Sequence, residues 1–398
     1  MSEGVTFPLG FRASGASAGL KPSGRPDLGL LVADASCSAA GVFTTNAFAA
    51  APVKLTRSRL AGGAARAILA NSGQANAATG AAGYRDAERA TAGAAEALGV
   101  DPEVVLACST GVIGEPIHME DLLAALPGLA GSLSGDGGGD FAKAIMTTDT
   151  VRKQAQAEAG PYRIGGAAKG VGMIAPNLAT MLVFVTTDAP VPPAAVHELA
   201  TSVLEPAFES LTVDACTSTN DTVLLFASGA AGGDPVAPGS RGWAMLADAI
   251  DGVADSLVHQ LAADAEGAQH VLLVEISGAA STADARIVAK GVADSPLVKT
   301  AAFGGDPNPG RILQAVGSSG VTIDPSVVDI WIGEAPVVSG GVIDPSYFEP
   351  GGDDAARVEM KKPEVRLRVS LGDGPGASRS LGCDLSYEYV RINGEYTT

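Results

Sequence analysis

The sequence predicts a mixed α/β protein with layered sheets, and three observations carry that expectation. Short apolar runs with β-branched residues recur at 104–108, 181–185, 223–227 and 271–276, the length and composition of buried strands. Alanine-rich or amphipathic stretches of helical pattern alternate with them, at 84–98, 240–265 and 282–292. Many connections are tight turns with no room for a crossover helix. At 398 residues the chain can bury a large core. It shows no internal repeat and no linker long enough to separate two independent domains.

Taken in order, 27–33 (DLGLLVA) and 51–55 (APVKL) read as strands among Gly, Pro and Ser turns. Residues 65–70 lead into Asn71-Ser72-Gly73-Gln74-Ala75-Asn76, a polar turn. Residues 84–98 carry charges on one side and form a helix ending near Gly99. The strand at 104–108 runs into a glycine loop, Ser109 to Gly114, and 119–126 is a helix stopped by Pro127. Residues 134–139 form a surface loop, and 141–146 end in the hydroxyl cluster Thr147-Thr148-Asp149-Thr150. Beyond the strand at 181–185, residues 192–208 are helical and 214–222 form a polar turn before the strand at 223–227. The long helix at 240–265 ends at Glu266-Gly267. After the strand at 271–276 and the helix at 282–292, residues 295–311 read as a Gly/Pro-rich loop and 327–332 as a strand. Residues 334–353 look like an insertion loop, 364–371 alternate as a half-exposed strand, and 387–398 begin as a strand.

Composition narrows the function. The formal net charge is −18 and the pI about 4.6, which argues against nucleic acid and anionic membranes as partners. The first residues lack a basic start with an apolar run, and no apolar run is long enough to span a bilayer, so a soluble, cytoplasmic protein is expected. Cys37, Cys108, Cys216 and Cys383 form no CxxC pair, and His118, His197, His259 and His270 have no metal-binding spacing. The expected chemistry therefore uses neither metal nor histidine.

The stretch KGVGMIAPNLATMLVFVTTDA, 169–189, places Thr180 where a glycine- and proline-containing loop meets a core strand. Taken alone, that threonine reads most simply as a cap or turn residue. The Ser109–Gly114 loop is either a tight turn or a set of backbone N–H groups converging on an anion.

Several segments taken together settle between such readings. NSGQANAATG (71–80), STGVIG (109–114), AIMTTDT (144–150), KGVGMIAPNLATML (169–182), TSTNDT (217–222), SPLVKTA with DPN-GR (295–311) and INGEYTT (392–398) occur in that order. The chain resembles, over nearly its whole length, the bifunctional glutamate/ornithine N-acetyltransferases of arginine biosynthesis. The resemblance implies a layered α/β/β/α fold similar to N-terminal-nucleophile amidohydrolases, differently connected. It implies self-cleavage between Ala179 and Thr180 into fragments 1–179 and 180–398 that stay together, usually as an α2β2 heterotetramer. Thr180 becomes the nucleophile and its freed α-amine the base. Thr110 and Gly111 supply the oxyanion hole, and Thr147, Lys169, Thr180, Glu266, Asn393 and Thr398 contact substrate. Lys169 suits a carboxylate and Glu266 an amine.

The implied reaction moves acetyl from N-acetylornithine to glutamate with no cofactor; acetyl-CoA is open as an alternative donor. The chain departs from the family's usual pattern at Gln74, Arg152, Pro309 and around Glu266, none of them an expected catalytic residue. Those departures leave the second substrate open, and a paralogous acetyltransferase of a secondary pathway stays in view. So do a same-fold aminopeptidase or amidase, with water as acceptor, and a non-catalytic amino-acid binder.

Overall fold

The structure, a computed structural model, describes residues 2–174 and 181–395. Thr180, Ala179 and Thr398 lie outside the described residues. The described chain divides into two compact units, one of 2–209 with 217–261 and one of 210–216 with 262–395.

The first unit contains β1 (Phe11–Ala16), β2 (Leu28–Phe43), α1 (Ala51–Arg59), β3 (Ala64–Gln74), α2 (Gly80–Leu98), β4 (Val105–Val112), α3 (Met119–Gly131), α4 (Gly138–Ala144), β5 (Lys153–Ala159), β6 (Tyr162–Lys169), β7 (Leu182–Thr187), α5 (Pro193–Leu199), α6 (Glu205–Glu209), β8 (Thr222–Ala227) and most of α7 (Trp243–Ala263). Its mixed sheet has the order β4-β3-β2-β8-β7-β6-β5, with β1 added on β2. The β3–β4 and β7–β8 pairs are parallel and the others antiparallel. Strand β2 shifts register against β3 between Val32 and Cys37 and pairs with it again at Cys37 and Ser38, while its other edge carries β1 along the first half and β8 along the second. An irregularity of that kind bends a strand.

Apolar side chains cover both faces of this sheet. On one, Phe141 of α4 packs with Leu31, Leu182, Phe184, Leu224 and Phe226, and the rings of Phe141 and Phe184 meet edge-on at 5.1 Å. On the other, Leu122, Leu126 and Leu129 of α3 and Ala90 and Ala94 of α2 pack with Leu28, Leu30, Leu69 and Val105. Two-sided burial explains why these strands read as unbroken apolar runs rather than alternating ones.

The second unit contains β9 (Val271–Gly278), α8 (Thr282–Asp294), α9 (Pro296–Gly304), α10 (Pro309–Gly317), β10 (Asp329–Ile332), β11 (Ala335–Val338), α11 (Asp354–Glu359), β12 (Glu364–Ser370), β13 (Gly374–Cys383) and α12 (Tyr387–Glu395). Its sheet runs β11-β10-β12-β9-β13, with only β12–β9 parallel. Val274, Val288, Val292, Ile330, Val365 and Leu367 sit in its core. The expected layered α/β class with mixed sheets is what both units show.

Several local expectations are corrected. Residues 51–55 are helical, not extended. Pro52 sits in the first turn of α1, where a missing N–H costs nothing, and Thr56 docks the helix on β4 by exchanging hydrogen bonds with Ala107. The polar segments at 71–74 and 109–112 continue β3 and β4 instead of turning, because the two strands pair in parallel as far as Gln74 and Val112. Helix α3 runs through Pro127, held by the apolar stripe of Leu122, Leu126 and Leu129. The loop expected at 295–311 is two helix starts, with Ser295 and Asn308 as caps accepting from Val298 N–H and Arg311 N–H, each ahead of a proline. Strand β11 lies within the expected insertion loop. The C-terminal segment forms α12, stabilised by Arg391 pairing with Glu388 and Glu395 at helical spacing.

Candidate active site

Thr110 and Lys169 come from opposite sides of the first sheet's strand order, on β4 and β6. They nevertheless touch, so the sheet curls enough to bring the ends of distant strands together. The Lys169 ammonium donates to Thr147 Oγ1 at 2.7 Å and to Thr110 Oγ1 at 3.3 Å. Lys169 and Thr110 are buried and Thr147 half-buried. Of the expected site residues, Thr110, Gly111, Thr147 and Lys169 therefore meet in one place.

Gly111 is required there by shape. Its φ is +130°, and a Cβ at this position would stand 2.1 Å from the carbonyl oxygen of Gly73 on β3. Neighbouring turns are stitched to the same strand ends. The Asn220 amide donates to the carbonyls of Ala75 (2.6 Å) and Ser109 (2.8 Å), and the Asn71 amide donates to Gln74 O. Asp221 Oδ1 accepts from Met181 N–H at 3.2 Å, fixing the residue that follows Thr180 in the chain. Burial pushes the Asp221 carboxyl well above the usual carboxylate range, although the Met181 N–H bond and the Lys169 charge oppose this. Among the described residues Asp221 Oδ2 has no hydrogen-bond partner.

Asp149 lies beneath Lys169. Its Oδ1 accepts from the Lys153 ammonium (2.7 Å) and Gly170 N–H (2.9 Å); its Oδ2 accepts from Thr147 N–H (2.9 Å) and stands 3.8 Å from Lys169 Nζ. Burial would raise this carboxyl, but the Lys169 and Lys153 charges outweigh burial and hold it down at about 2. Lys21 approaches from the loop before β2, donating to the carbonyls of Pro26 and Met146. Burial, reinforced by Lys169, lowers its ammonium to about 8 against the pull of Asp27 and Asp149. The cluster thus carries more positive than negative charge around two hydroxyl groups, a setting that receives an anionic group.

In the second unit, Asn393 on α12 donates from Nδ2 to Glu266 Oε2 at 2.9 Å. Helix α12 is fastened there: Ser386 donates to Gly267 O (2.6 Å), and the Tyr389 hydroxyl donates to Asp214 Oδ2 (3.1 Å). Gly267 has φ +72°, and a Cβ on it would meet Tyr389 N at 2.5 Å. Among the described residues, no group of three or more His, Cys, Asp or Glu side chains could hold a metal ion, and no helix is long and apolar enough to cross a membrane.

Sequence reasoning passed over Asp149, Lys153, Lys21, Asn220 and Asp221. The signal for Asp149 was present, as the one acid inside a run of three threonines (147–150). For Asn220 and Asp221 it was the polar TSTNDT turn before an apolar strand.

A model of the ArgJ family matches residues 12–398. An "Arginine biosynthesis bifunctional protein ArgJ" of Symbiobacterium thermophilum is 46% identical over 404 aligned residues, covering 100% of this chain and 99% of its own. The protein of the same name from Parasynechococcus marenigrum is 48% identical, covering 100% of this chain and 96% of its own. The crystal structure of the ArgJ protein of Bacillus halodurans superposes with a TM-score of 0.51 at 36% identity, covering 54% of this chain and 98% of that one.

Proposed function

This chain belongs to the ArgJ family, and we propose that it transfers the acetyl group of N-acetylornithine to glutamate in arginine biosynthesis, after cutting itself between Ala179 and Thr180. The observation that carries the reading is the convergence of Thr110, Thr147 and Lys169 from distant strands. An ammonium there suits a substrate carboxylate.

A threonine hydroxyl is a weak nucleophile and needs a base. Cleavage would supply one as the α-amine of Thr180, whose unperturbed pKa of roughly 7.7–8.0 suits proton transfer near neutrality. The hydroxyl adds to the acetyl carbonyl while its proton passes to the amine. Thr110 and Gly111 stabilise the oxyanion. The C–N bond to ornithine breaks, the departing nitrogen takes the proton, and an acetyl ester remains on Thr180. Glutamate's amine then attacks that ester, and the Thr180 hydroxyl is restored. Acetyl moves between two amines, so no cofactor is required, and acetyl-CoA is an alternative donor. Glu266 and Asn393 are assigned to the amino groups of substrate, and Thr398 completes the set of contacts.

The Bacillus halodurans chain aligns over just over half of this one, a size that supports division into pieces like 1–179 and 180–398. The reading places the enzyme in the cytoplasm as an α2β2 heterotetramer. The test is to incubate purified protein with acetylornithine, with and without glutamate, and to take its intact mass. Acetylglutamate appearing only with glutamate, and two fragments of roughly 18 and 22 kDa by share of chain length, are expected. A full-length single band with activity, or free acetate in place of acetylglutamate, refutes it.

A further inference from the structure

We propose that Asp149 is a positioning residue of the acetyl transfer, keeping Lys169 charged and directed at Thr110 and Thr147 so that a substrate carboxylate can bind. The inference rests on the reading of function above, and its argument is geometric. Asp149 is fully buried, and its two oxygens collect donors from three segments of chain. These are Thr147 N–H just beyond α4, Lys153 on β5, and the end of β6 through Gly170 N–H and Lys169. A single carboxylate therefore ties together the residues on either side of the hydroxyl pair. It fixes Thr147 by its backbone while Thr147's side chain accepts from Lys169.

The charge arrangement makes Asp149 more than a brace. Lys169 is 2% exposed and Lys153 0% exposed, and a buried ammonium loses its proton unless an anion holds it. Lys169 also feels Lys21 from the loop before β2 and Asp221 from the turn before β8. Burial pushes Asp221 toward its neutral form, so among the described residues Asp149 is the ionised carboxylate that faces both buried ammoniums. Its removal leaves Lys153 and Lys169 opposed, and Lys169 then gives up its proton at lower pH.

The sign of the effect follows. An opposite charge at this distance raises a lysine pKa, so Asp149→Asn lowers that of Lys169, by about one unit or more. The basic limb of kcat/KM for acetylornithine should move down by at least that much. The loss should fall mainly on KM. It should exceed, by about tenfold or more, any loss with p-nitrophenyl acetate, a donor without a carboxylate. Adding Lys153→Met to Asp149→Asn removes the opposing ammonium and should move the limb back toward wild type. An unshifted limb, or an equal fall at every pH for both donors, shows a structural brace only and overturns the proposal. If Asp149→Asn does not fold, Lys153→Met alone decides. Relief of repulsion should move the basic limb of kcat/KM for acetylornithine to higher pH, and a limb that stays in place overturns the idea. Wild-type protein that transfers no acetyl from acetylornithine overturns the parent reading as well; wild-type activity with an unshifted variant limb overturns only this one.

Discussion

Gly111→Ala tests the proposed oxyanion site through shape alone. The added methyl carbon would stand 2.1 Å from Gly73 O and 2.8 Å from Gln74 N, where ordinary contact needs about 3.5 Å. Strands β3 and β4 would have to part locally by roughly 1 Å. The backbone at φ +130° would also be strained for any residue with a Cβ. Overpacking and backbone strain together should cost roughly 2–5 kcal/mol of stability. A donor displaced by about 1 Å should lower kcat by about 10²-fold or more. The assay is the rate of acetylglutamate formation, paired with urea unfolding of the same preparation. Loss of kcat with KM for acetylornithine nearly kept is expected, because Lys169 is untouched. A variant that is as stable as the parent and transfers acetyl at the parent rate would refute both the steric argument and the assignment of Gly111.

Thr110→Ala should slow acylation by about 10²–10³-fold, and kinetics with two substrates should give parallel reciprocal lines with an acetyl adduct on fragment 180–398 when glutamate is withheld; intersecting lines without an adduct would mean direct transfer. Lys21 has a folded pKa of about 8, below its unfolded value, so the folded state sheds this proton first and stability gains as pH rises through that window. The urea midpoint of wild type relative to Lys21→Met should therefore increase between pH 7.5 and 9.5, and a flat difference would contradict the assigned burial. Gly267→Ala should push Tyr389 and α12 away and raise KM for the amino-acid substrates while leaving self-cleavage intact, as read by steady-state kinetics and gel.

Much of this was legible in the sequence, where local chemistry decides structure. The strands at 181–185 and 271–276 and the helix ending at Gly99 form as their patterns require, Gly99 taking the left-handed cap conformation. Ser295-Pro296 and Asn308-Pro309 carried their meaning openly, as helix caps ahead of first-turn prolines, yet their glycine-rich setting disguised them as loop. What no local pattern contains is the curl of the first sheet. The contact between Lys169 and Thr110 depends on β2 changing partners halfway along its length, and on every strand between β4 and β6. Family resemblance supplied those residues as a set; geometry shows that four of them share one place. Asp149 was hidden for a different reason: in sequence it looks like one polar residue in a hydroxyl run, and only burial beside two lysines gives it a role.

The strand order of the first unit has a consequence for what a cut at Ala179–Thr180 does. The cut falls between β6 and β7, which are hydrogen-bonded neighbours, and β8 in turn lies against β2. One sheet would then be woven from two polypeptides, with the second chain's β7 and β8 filling the middle and the first chain's strands on both flanks. Such strands could not be withdrawn without breaking two ladders at once, so the nick would leave the two pieces joined. It does alter the way back. Before the cut, refolding is a search by one chain; afterwards, two chains must find each other, and recovery depends on concentration. Self-cleavage would make the mature enzyme a product of its own folding history, assembled once as a single chain and poorly able to repeat the act.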